Sequence, residues 1–154
     1  MITLKLQADL KEAQLAKDEV KTGTLRLLLS EIHNSEILLR QSSGQEKGEL
    51  SDSDVISVIQ REIKKRKEAA EGFRSGGREE QARKEEVELK VLEGYLPAQI
   101  SNEELTEIVQ RAITELGAAQ LADMGKVMSV VMGKVSGRAD GKRVSEMVKV
   151  RLSS

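Results

Sequence analysis

The residues of this chain best suited to chemistry crowd into one stretch, "DMGKVMSVVMGKVSGRADGKRVSEMVK", from Asp123 to Lys149. Two Met-Gly-Lys triplets are followed there by "GRADGK". Glycine beside Lys and Arg is a composition that lets backbone approach a phosphate while charge holds it. A nucleotide-hydrolysing loop of the Walker type does not fit. Three residues rather than four separate Gly137 from Gly141, and Arg143 stands where a Ser or Thr would bind Mg²⁺. A helical projection is more informative. At about 100° per residue, Gly125, Ser129 and Gly133 share one stripe opposite most of the Met/Val stripe, so another backbone could come close. Lys126 borders that row, and Lys134 lies about 12 Å farther along and about 80° round. From Met124 to Arg151 there are seven cations against two carboxylates, Asp140 and Glu146, within a chain of formal net charge −1. One reading has the small stripe packing a neighbouring helix and the cations solvated. The other is a surface for a sugar–phosphate backbone. Asp140 would cap the last helix and shape the turn, because its charge repels an anion. The candidate RNA contacts are therefore Lys126, Lys134, Arg138, Lys142 and Arg143. Gly125 and Gly133 would give close approach, and Gly137 and Gly141 backbone geometry.

Other chemistry finds little support in the composition. Cysteine is absent, which excludes disulfides, thiolate metal sites and thiol catalysis. His33 is the only histidine, set among Glu31, Asn34 and Glu36, and a structural role suits it better than catalysis. The acidic residues are interleaved with Lys and Arg, so no metal site, cofactor or Ser–His–acid set is expected. A second charge cluster, "QREIKKRKEAAE", places Arg61, Lys64 and Lys65 on a helix face closed by Glu68. It reads as a solvated face with ion pairs, or as a secondary RNA contact. Phe73, Tyr95 and His33 are the only candidates for stacking a base, and all lie outside the cationic stretch. Any nucleic acid bound should thus be folded RNA, held by backbone and shape.

The elements that position these residues are helices. Leu25, Leu28, Leu29, Ile32 and Leu39 repeat at helical spacing, as do Val55, Val58, Ile59, Ile63 and Ala70. A first helix is expected near residues 2–17, and "QSSGQEKGEL" reads as a loop. Ser51 with Asp54 caps the third helix, and a fourth follows "RSGGREE" on Ala82, Leu89 and Leu92. Pro97, the only proline, marks a domain boundary. Beyond it, Ser101 and Glu104 form a capping box for a helix burying Leu105, Ile108, Val109, Ala112, Ile113 and Leu116, with Gly117 as its stop. Two more helices start at Asp123 and Asp140. The expectation is an all-α protein with an N-terminal four-helix domain, residues 1–97, and a C-terminal three-helix domain, residues 98–154. The charged start "MITLKLQADLKEAQ" lacks a signal-peptide core, and no stretch is apolar enough to cross a membrane. A cytoplasmic monomer without membrane contact is expected.

Four segments carry a family resemblance: "LRLLLSEIHNSEI" (25–37), "VIQREIKKRKEAAEGF" (58–73), "GYLPAQIS" (94–101) and, most specific, residues 123–149. Over nearly its whole length the chain resembles the YqeY family, which is homologous to the tail domain of GatB, a component of the tRNA-dependent amidotransferases. Members often have proline where this chain has Gly133, a departure that could loosen the end of this helix but touches none of the five cationic contacts. The resemblance implies two small helical domains and binding of the tRNA body through Lys126, Lys134, Arg138, Lys142 and Arg143. An amidotransferase or aminoacyl-tRNA synthetase is implied as a partner. A carbon–nitrogen ligase label with glutamine as amide donor could attach by inheritance. The glutaminase and ATP-using parts that perform that reaction have no counterpart in the residues read above. Contribution to amide transfer as an associated subunit and service as a protein–protein adaptor are the alternatives.

Overall fold

The computed structural model describes residues 1–44 and 48–153. Seven α-helices and no strand occur among them. They form two compact units, Met1–Leu96 and Pro97–Ser154. The first holds α1 (Ile2–Leu15), α2 (Glu19–Ser43), α3 (Asp52–Ser75) and α4 (Glu79–Glu93). The second holds α5 (Asn102–Leu116), α6 (Met124–Val135) and α7 (Gly141–Leu152), with a short 3₁₀ turn at Leu121–Asp123.

Aliphatic periodicity builds the first unit. Leu6, Leu25, Leu28, Ile32, Val55, Val58, Ile59, Ile63 and Leu92 form its buried cluster. Each such side chain contributes roughly 1.5–3 kcal/mol by leaving water. Leu39 departs from expectation and is exposed. At 25 residues, α2 is about 37 Å long and overruns the 14-residue α1 beside it. It also extends through Gln41–Ser43 before Gly44 ends it at φ +67, so the loop starts later than the polar sequence suggests. Residues 45–47 of that loop lie outside the described residues. The first helix stops at Leu15 rather than 17: Lys17 takes φ +55, and Asp18 N–H closes onto Ala13 C=O. Ser51 and Asp54 form a reciprocal capping box at α3.

The pairing of α3 with α4 carries the main polar surprise. Arg66 is buried and donates to Glu62 Oε2 at 3.0 Å and to Glu88 Oε2 on α4 at 3.3 Å. Lys65 adds a bond to Glu62 Oε1 at 3.0 Å. Within the charged run it is thus Arg66, and not Lys64 or Lys65, that faces inward. At the hairpin end, Arg74 reaches both Glu79 and Glu86. Near the end of the unit, Tyr95 donates to Asp9 Oδ2 at 2.6 Å beneath the Lys5 ammonium. Burial and the Asp9 carboxylate push the Tyr95 phenol well above its ordinary range. Hydrogen bonds from Lys5 and Tyr95 hold Asp9 low.

The second unit packs Leu105, Val109, Ala112, Val127, Val131, Val135, Ala139, Val144, Val148 and Leu152 around one core. Leu116, expected inward, is 43% exposed in the last turn of α5. Gly117 follows at φ +61, and Ala118 N–H closes onto Ile113 C=O. Asp123 does not cap α6 directly. Its Oδ2 accepts from the N–H groups of Ala119 and Gln120, fixing the 3₁₀ turn from which α6 continues. Those two donors hold its carboxyl below the ordinary aspartate value.

Arg66→Ala strips a buried carboxylate of its main partner and should destabilise the first unit by about 3 kcal/mol in chemical denaturation. A loss under about 1 kcal/mol would mean the network behaves as a solvated surface pair. The lowered Asp123 pKa gives a signed pH effect. Its stabilisation is present above the ordinary aspartate value and is lost as pH falls below about 4 toward the folded value. Acid titration of thermal stability should show that loss in the wild type and a reduced one in Asp123→Asn.

Candidate nucleic-acid interface

The cationic segment folds as α6, a tight corner and α7, with the first turn of α5 against the corner. Ser136 (φ +42) and Gly137 (φ +82) reverse the chain after Val135. Gly137 therefore meets the backbone requirement expected of it. Gly141 does not: it lies outside the positive-φ residues and opens α7, and a Cβ added there would have no heavy atom within 4 Å, so other residues would fit. Ile100 N–H donates to Arg138 C=O at 2.8 Å, tying the segment before α5 to the corner. Asp140 Oδ1 accepts from Arg143 N–H at 2.7 Å and caps α7, the turn-shaping role expected from its position.

Ser101 Oγ accepts from Glu104 N–H at 3.1 Å, one half of the expected capping box. Glu104 takes a different partner from the one its spacing suggests. Its two carboxylate oxygens receive both Arg138 Nη atoms, at 3.0 and 2.9 Å. A guanidinium fork across two oxygens outcompetes a single backbone N–H for that carboxylate. Arg143 Nη2 donates to Asn102 Oδ1 at 2.6 Å, in the same first turn of α5. Lys134 Nζ approaches Glu115 Oε2 at 3.4 Å near the other end of α5. The Glu104 and Glu115 attachments are about 16 Å apart along that helix.

The five RNA candidates thus divide. Arg138 and Lys134 are paired with carboxylates, and Arg143 is held by a neutral amide. Lys142 is exposed and has no ion-pair partner among the described residues. Lys126 is exposed at the start of α6, close enough to Asp123 to help lower its carboxyl. The corner and the first turn of α5 bring Arg138, Lys142 and Arg143 to one neighbourhood, whereas Lys126 and Lys134 flank α6. Gly125, Ser129 and Gly133 are not buried, and a Cβ at either glycine would meet nothing within 4 Å. Within this unit the small stripe therefore packs against no neighbouring helix. α6 also runs through Gly133 unbroken to Val135.

Charge is more balanced than the 124–151 window suggests. Between Pro97 and Ser154 eight Lys and Arg oppose seven Asp and Glu, four of the acids lying on α5 as Glu103, Glu104, Glu107 and Glu115. The signal that could have shown this was the acidic composition of α5, already present in the sequence. In the first unit, Arg61 bonds Ser35 Oγ at 3.4 Å and Lys65 bonds Glu62, leaving Lys64 exposed. His33 is exposed beside Glu36, with Nδ1 3.7 Å from Oε2. No group of carboxylates and histidine suited to a metal ion occurs among the described residues. No helix among them is long and apolar enough to cross a membrane.

Comparison with known proteins adds the family. A protein named altered inheritance of mitochondria protein 41, mitochondrial, from Pyrenophora tritici-repentis is 34% identical over 94% of this chain and 77% of its own length. Proteins of the same name from Vanderwaltozyma polyspora and Kluyveromyces lactis are 32% and 37% identical over 73% and 72% of this chain. The match spans only 59% and 58% of those two relatives. The expected cytoplasmic location is overturned by these names, which point to mitochondria instead. The family model described as Yqey-like protein matches residues 3–152, and the chain belongs to that family.

Proposed function

We propose that this protein binds the folded body of tRNA without catalysing a reaction, as an accessory to tRNA-dependent amidation or aminoacylation. The observation that carries the reading is the open row of small residues Gly125–Ser129–Gly133 on α6, with Lys126 beside it and the exposed Lys142 at the start of α7. Such a row admits a sugar–phosphate backbone, and the adjacent cations attract one. Arg143 supports the reading because Asn102 fixes its guanidinium and leaves its charge intact. The first unit offers less: of Arg61, Lys64 and Lys65, only Lys64 is both exposed and without a bonded partner among the described residues. Amidotransferase or synthetase partners follow from the family resemblance alone.

Exposed surface pairs such as Lys134–Glu115 stabilise by at most about 1 kcal/mol, so a phosphate can replace the carboxylate there. The net charge of the unit is small, and affinity should consequently be modest and strongly salt-dependent. Binding of a folded tRNA transcript should fall with a log–log salt slope of about 0.7–0.9 per phosphate neutralised. The double change Lys142→Glu, Arg143→Glu should abolish binding while helical content is kept. Binding insensitive to both salt and this change would refute the reading. A partner that instead stays bound through nuclease and high salt would identify the α6 row as a protein-docking groove.

A further inference from the structure

Resting on the RNA reading, we propose that Glu104 is a built-in competitor for phosphate: its carboxylate occupies the anion position on Arg138 and sets a threshold that only a ligand with several phosphates crosses. The geometry is that of a ligand already in place. Both Arg138 Nη atoms are satisfied by both Glu104 oxygens at 3.0 and 2.9 Å, the planar fork that a phosphate would otherwise fill. The main chain at Arg138 is fixed on both sides, its C=O accepting from Ile100 N–H and its N–H donating to Val135 C=O, so the side chain starts from a set position beside α5. Glu104 in turn leaves its capping-box role half-filled to make the contact.

The neighbouring arginine shows the contrast. Arg143 is steered by the neutral Asn102, two residues before Glu104 on the same helix, so orientation there comes without neutralisation. A single phosphate arriving at Arg138 must exchange one fork for another and gains little. A polyanion also reaches Arg143 and Lys142, where no carboxylate has to be displaced. Glu104 and Arg138 are both partly solvent-exposed, at 47% and 36% of their side chains, so the exchange is open to a ligand from outside.

The test uses the full chain, with Glu104→Gln, Arg138→Gln, the two combined, and Glu103→Gln as a control of equal charge change on the same turn. Inorganic pyrophosphate and a folded tRNA transcript serve as probes, with circular dichroism to confirm folding. Glu104→Gln should tighten pyrophosphate binding about two- to fivefold, within the range of an exposed ion pair. It should also tighten tRNA binding and steepen its salt slope. The gain should vanish in the Glu104→Gln, Arg138→Gln double variant and be absent in Glu103→Gln. An equal gain from Glu103→Gln, or none from folded Glu104→Gln with either probe, overturns the proposal. If the pyrophosphate gain appears while no protein binds tRNA, the competitor stands and the RNA reading falls. If tRNA binding needs Lys142 and Arg143 yet ignores Glu104, the RNA reading stands and the competitor falls.

Discussion

The hydrogen bond from Ile100 N–H to Arg138 C=O governs the C-terminal unit. Ile100 is 2% exposed, so an unmade bond would leave its N–H away from water. The bond places the start of α5 against the α6–α7 corner. Ser101, Asn102 and Glu104 then follow within about one helical turn, which is why Asn102 and Glu104 meet Arg143 and Arg138. The pairing at the corner, Arg138 with Glu104 and Arg143 with Asn102, thus depends on one backbone contact between segments remote in sequence.

Small aliphatic side chains make such backbone contacts more important than usual. The core of this unit is mostly Val and Ala, with partly buried Met at its margin. Branched and small residues bury less area each than aromatics, and a unit of this size keeps a large share of its surface in water. Helix ends accordingly carry explicit devices: the Ser101 cap, the Gly117 stop, the Asp123 turn and the Asp140 cap. The first unit uses the same approach with longer helices and adds a buried ion network, because α3 and α4 face each other across Glu62, Arg66 and Glu88.

Legible in the sequence is whatever depends on neighbours within one or two turns. Val55, Val58, Ile59 and Ile63 announce their buried face by spacing alone, and Ser51, Gly117 and Asp140 announce helix ends through local chemistry. Leu39 and Leu116 mislead because periodicity says which way a side chain points and not whether another helix reaches that far. Glu104 misleads because two chemically sensible partners compete for it. The Ser101 spacing is local, whereas Arg138 is brought close only by the fold. Arg66 escapes notice for a related reason: inside a charged run, the inward member looks like its solvated neighbours.

The same dependence on the fold governs charge counted along a window. Helices α6 and α7 are positive as a sequence, but their neighbour in space is α5, whose acids approach them from the side. Whether a cation remains available then depends on which α5 residue lies opposite it. Opposite Arg138 stands a carboxylate, and opposite Arg143 an amide, although both positions lie in the same turn and both accept a hydrogen bond. An amide and a carboxylate can each position a guanidinium, but only the carboxylate cancels its field. A surface built this way holds its arginines in place while leaving only part of their charge free. Affinity on such a surface must come from several simultaneous contacts rather than from any one of them, which makes an extended polyanion a better match for it than an isolated phosphate.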